Sequence, residues 1–83
     1  MEQDMEICFA RILTHEFFVS MLNPHLRGPT FTWEKFEDLA VRFAVRQIAL
    51  SAPDLDPLRV ESAARLEARH ILKESQVAEW MTL

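Results

Sequence analysis

Four prolines constrain this chain more than any other feature, because they stand in two pairs, Pro24 with Pro29 and Pro53 with Pro57. Proline lacks an amide hydrogen and pushes the residue before it out of the helical region, so each pair marks a connector. Three stretches of helical length remain: about residues 4 to 22, about Trp33 to Leu50, and Pro57 to Lys73 or Glu74. No run alternates apolar and polar residues for more than a few positions, and there is no Asn-Gly or Asp-Gly turn. Strands therefore have no support. The pattern predicts an all-α fold, a small three- to four-helix bundle forming a single helical domain over residues 1–83.

The ends of these segments carry their own signals. Asn23-Pro24 stops the first. Thr32 is the natural N-cap of the second, with Glu34 placed where the helix dipole favours an acid, and Ser51-Ala52-Pro53 ends it. Asp56 can cap the third while Pro57 fills its first position, where a missing N–H costs nothing. Beyond Glu74 the third helix either runs on to Trp80 or gives way to a short fourth helix capped by Ser75.

Placing the residues at 100° steps shows which faces are apolar. The third segment is ordinary, with Val60, Ala64, Ala68, Ile71 and Ala78 on one side and Arg65, Arg69 and Lys73 on another. The second carries Phe36, Leu39, Ala40, Phe43, Ala44 and Leu50 on one face, and a further strip of Val41, Val45 and Ile48 roughly 120–180° away. Lys35, Arg42 and Arg46 take the sector left over. The first is apolar nearly all round, and only Asp4, Arg11 and His15 make a polar arc.

A helix that is apolar on every side must be covered on every side, and each helix of a three-helix bundle keeps one flank in water. A second chain is therefore expected, either a copy in a symmetric dimer or a different protein. The composition agrees: 49% of the residues are hydrophobic, and all eight aromatics are Phe or Trp, rings that seek burial or a partner.

Composition and spacing exclude much chemistry. A single glycine, Gly28, rules out the glycine-rich phosphate loops and the G-x-S-x-G nucleophile elbow. Beside Pro29 it reads instead as a residue whose backbone a side chain would block, a hinge or swap point. His15-Glu16 opens like H-E-x-x-H, but Val19 stands where the second histidine is needed. His15, His25, His70 and Cys8 come from separate segments with no metal-ligand spacing. Asp54-x-Asp56 lacks the glycine and glutamate of a calcium loop and is explained by capping. Cys8, flanked by Ile7 and Phe9, reads as an inert core thiol. No catalytic residue, cofactor or metal ligand is assigned.

The lone cysteine, which cannot form an internal disulfide, suits a reducing compartment. The acidic start without a basic n-region, and charges that interrupt the apolar runs, oppose a signal peptide or a membrane span. A cytoplasmic protein is expected.

All but two of the nine basic residues are arginine. Glu61, Arg65, Arg69 and Lys73 recur every four residues, as do Asp38, Arg42 and Arg46, an order that suits ion pairs along a helix. A basic patch for nucleic acid is the sharper reading of these rows, but the net charge of −4 opposes it.

The sequence thus predicts a non-catalytic protein-binding module, an adaptor, regulator or stoichiometric inhibitor, acting as a homodimer. Phe9, Ile12, Phe17, Phe18, Met21, Trp33, Val41 and Ile48 are the expected apolar contacts, with Phe17, Phe18, Met21 and Trp33 as anchors. Arg42, Arg46, Arg65 and Arg69 are expected to orient the partner. The alternative is a dimeric DNA-binding regulator using the basic faces of the second and third helices.

Overall fold

The computed structural model describes residues 4–75, which form three helices: α1 (Met5–Leu22), α2 (Phe36–Ser51) and α3 (Pro57–Glu74). No strand occurs among the described residues. The question of a fourth helix falls on residues outside them.

Local chemistry sets the boundaries. Asp4 caps α1 by accepting from the Ile7 amide at 3.2 Å, and Asp56 caps α3 by accepting from Leu58 at 2.9 Å, with Pro57 behind it as expected. The start of α2 differs from the expectation. Trp33–Lys35 form one 3₁₀ turn before the α-helix begins at Phe36, and the Thr32 side chain makes no capping hydrogen bond. The Lys35 amide bonds instead to the Thr32 carbonyl at 3.0 Å, the tighter spacing of a 3₁₀ turn.

Gly28 also departs from its reading. Its φ lies outside the left-handed region, and a Cβ built on it would meet nothing within 4 Å. Nothing in the backbone requires a glycine there. The connector is shaped by turns, with the Leu26 amide on the Asn23 carbonyl at 3.0 Å and the Phe31 amide on the Gly28 carbonyl at 3.1 Å.

Polar contacts fix the topology. Asp4 pairs with Arg59, Glu6 accepts from the Asp56 amide at 3.1 Å, and further along His15 meets Glu67 at 2.7 Å, so α1 and α3 run parallel. Phe36 lies against Phe17 and Phe18, and Glu37 beside Arg65, so α2 runs back between them. The bundle is up-down-up.

Its core has two ends of different character. At one, Ala10, Val41, Ala44, Ile48, Val60 and Ala64 are buried, backed by Leu13, Val45 and Leu55. At the other, Phe36, Ala40, Ala68 and Ile71 are buried beneath Phe17, Phe18, Phe31, Trp33 and Leu72. Phe36 is the hub, fully enclosed, with Phe17, Trp33 and Phe18 at centroid distances of 5.6, 5.6 and 5.8 Å. Phe43 lies 5.3 Å from Phe17 and Phe31 5.2 Å from Trp33. Rings at such separations attract beyond the area they bury. Alanines at 0% exposure on all three helices let the backbones approach closely.

The two strips read on α2 are in fact the flanks of one buried arc. Phe36, Ala40, Ala44, Ile48 and Val41 fall within about 140° of one another at 100° per residue, with the alanines in the middle. The arc is wide because α2 packs against α1 and α3 together. Val41 and Ile48, at 5% and 4% exposure, belong to the chain's own core and offer nothing to a partner.

Candidate functional site: the outer face of helix α1

Packing against α2 and α3 uses only part of α1. Ala10 and Thr14 are fully buried, and the Thr14 hydroxyl donates to the Ala10 carbonyl at 2.6 Å. Leu13, Phe17, Phe18 and Met21 are half-buried beside them. The opposite face carries Met5, Phe9, Ile12, Val19 and Leu22, exposed by 47, 37, 55, 64 and 43%. Cys8, Arg11, Ile12, His15, Glu16, Val19 and Ser20 line a shallow concavity along this face. The expectation of an α1 apolar on more sides than its bundle covers agrees with this exposure.

The expected contacts therefore divide. Phe9 and Ile12 lie on the open face. Phe17, Phe18 and Trp33 lie in the aromatic cluster, so substituting them would damage the fold before any interface, and Met21 is half-buried. Phe9 is the aromatic ring among the described residues that stands outside that cluster. Met5, Val19 and Leu22 were missing from the expected set. Met5 and Val19, seven residues either side of Ile12, and Leu22, three beyond Val19, carried the signal, but it was masked on a helix that is apolar all round. Cys8 is half-buried on the open face rather than enclosed in the core.

The arginines divide as well. Arg65 donates to Glu37 at 2.7 Å and to Asp38 at 3.0 Å, and Arg69 pairs with Glu37. These pairs tie α3 to α2, whereas the contact along α3 itself, Arg65 with Glu61, is longer at 3.8 Å. Asp38, read from spacing as a partner of Arg42, is taken by Arg65. Burial pushes the Glu37 carboxyl up, but the hydrogen bonds and positive charges of Arg69 and Arg65 outweigh it and hold the group below the ordinary carboxylate value. Arg65 is raised in turn, first by its hydrogen bond to Asp38 and then by that to Glu37. With Arg59 on Asp4, these three bases of α3 each have an acidic partner within the chain. Arg42 and Arg46 are exposed on the outer side of α2, near Leu50 at 75% exposure.

Glu67 supports the open face from behind. It takes Arg11 at 3.4 Å and His15 at 2.7 Å, which holds both side chains along one edge of the strip. Among the described residues, no three His, Cys, Asp or Glu side chains stand together as a metal-binding group. No described helix is long and apolar enough to cross a membrane. Compared with protein families, characterised proteins and solved structures, the chain matches none.

Proposed function

We propose that this chain is a non-catalytic protein-binding module of the adaptor, regulator or stoichiometric-inhibitor kind, working in the cytoplasm as a homodimer. One observation carries the reading: Met5, Ile12 and Val19, at 47, 55 and 64% exposure, are aligned on the side of α1 that faces away from α2 and α3. A contiguous apolar strip with polar edges marks an interaction site, whereas scattered apolar groups need no explanation. The outer side of α2 supplies a second surface, where Arg42 and Arg46 would meet carboxylates of an acidic partner beside the exposed Leu50.

Sedimentation over a micromolar concentration range tests the dimer. The expected mass is about twice 9.7 kDa, and the doubly substituted Ile12→Glu, Val19→Glu chain is expected at 9.7 kDa with its helicity retained. A wild-type chain that sediments at 9.7 kDa throughout would overturn the dimer. Affinity capture from the native cell tests the second surface, since Arg42→Glu with Arg46→Glu should lose the captured protein and keep the dimer.

A further inference from the structure

The open face of α1 carries a heptad seam. Met5, Ile12 and Val19 recur every seven residues, and Cys8, His15 and Leu22 recur in the same way three positions later. These are the a and d positions of a two-stranded coiled coil, here on the face that the bundle leaves open. Arg11 then occupies a g position and Glu16 the following e position, one on each edge of the seam.

We infer that the occupant of this face is a second copy of the chain, with the two α1 helices parallel and in register, Ile12 against Ile12 and Arg11 paired with Glu16 of the other copy. The inference rests on the dimer proposed above and adds its geometry. Two-fold symmetry decides between the two ways in which the helices could run. In a parallel pair the g edge of one helix lies beside the e edge of the other, so Arg11 reaches Glu16 five residues ahead, twice over. In an antiparallel pair like edges meet, so Arg11 lies near His15 and Phe18 of the other helix and Glu16 near Phe9. Glu16 then has no complement, and Arg11 keeps only Glu67 of its own chain. β-Branched Ile12 and Val19 at a positions also suit the parallel two-stranded form.

His15 is the polar member of the seam. Glu67 of its own chain, 2.7 Å away, gives the imidazole a partner at the edge, so this polar group can sit beside the apolar contact without being stranded. A slip of either helix by one heptad would set the ring against Cys8 or Leu22, which favours the in-register arrangement.

Cys8 makes the arrangement measurable, because the sequence holds one cysteine. As a d residue it lies beside its own copy in the parallel pair. In the antiparallel pair it lies opposite Val19, and the two Cys8 residues are separated along the axis by about 16 Å, from eleven residues at about 1.5 Å each. A disulfide needs the Cα atoms within about 7 Å.

The test is oxidation of the wild-type chain with diamide, which takes two electrons and two protons from the paired thiols, read on a non-reducing gel beside sedimentation. The expected result is a dimer that becomes covalently linked, and no linkage in the Ile12→Glu, Val19→Glu chain at the same concentration. A second measurement does not depend on the thiol. In a Glu67→Gln background, which removes the charge that Arg11 meets within its own chain, Glu16→Arg should weaken dimerisation roughly fivefold, and adding Arg11→Glu should bring it back to within about twofold. A dimer that neither cross-links nor responds to the charge exchange would overturn the parallel arrangement and keep the dimer. A monomer would overturn both.

Discussion

Arg65 Nη1 donates to Glu37 Oε2 at 2.7 Å, joining the middle of α3 to the first turn of α2. The pair has a pH signature whose sign follows from the direction of the Glu37 shift. A carboxyl held below its ordinary value when folded contributes stability in full above the unfolded pKa of about 4.3, and loses it as pH falls through the lower folded value. Glu37→Gln should therefore melt below wild type by a constant margin above about pH 5, with the gap closing under acid. Thermal melts between pH 3 and 7 measure it, and a gap independent of pH would refute the ionic origin.

Phe36 is fully buried at the junction of Phe17, Phe18 and Trp33. Phe36→Ala should cost about 3–5 kcal/mol, the range for losing a buried ring and leaving a cavity. The paired substitution Phe17→Asp, Phe18→Asp should likewise unfold the bundle rather than merely separate two copies of it. Phe9→Ala, outside the cluster, should change denaturant stability far less, provided both chains are compared under monomeric conditions. Urea titration followed by circular dichroism distinguishes the three.

Gly28 faces open space with an ordinary φ. Gly28→Ala should leave the fold intact and raise stability by about 0.4–1 kcal/mol, because alanine restricts the unfolded chain more than glycine does. A loss of stability would show that the turn needs a freedom the backbone geometry does not reveal.

Asp56 accepts from the Leu58 amide at 2.9 Å, while its own amide donates to Glu6 at 3.1 Å. Asp56→Ala removes the first bond and leaves the second, so a cost of about 1 kcal/mol is expected. Glu6→Ala acts on the second alone. Because one residue holds both bonds, the two substitutions together should depart from additivity. Four-way comparison of unfolding free energies checks this.

Much of the fold was legible because it depended on local chemistry. Proline spacing located the connectors, Asp56-Pro57 located the start of α3, and the stripe from Val60 to Ile71 gave its buried face. What could not be read depended on which neighbours a helix acquires. Val41 and Ile48 looked like an outward strip because a helical wheel shows two flanks and not the alanine-lined arc between them, which closes only when α2 meets α1 and α3 at once. Arg65 and Arg69 read as pairing along their own helix and turning toward a partner because the acids they meet, Glu37 and Asp38, lie on another helix. Thr32 had the right chemistry for a cap, but the 3₁₀ turn satisfied the amides differently. On the candidate face, Phe9 and Ile12 were identifiable from their types, whereas Met5, Val19 and Leu22 needed the knowledge of which side of α1 turns inward.

That side is settled by size rather than by greasiness. α1 is apolar all round, and the residues enclosed most completely are Ala10 and Thr14, two of its smallest. They act as a rotational key: the face bearing them is the one that lies against both neighbours. A bulky side chain at either position would push α1 off its neighbours, and turning the helix to relieve it would withdraw Phe17 and Phe18 from Phe36. The surface that α1 presents to the outside is thus set by two buried residues that form no part of it.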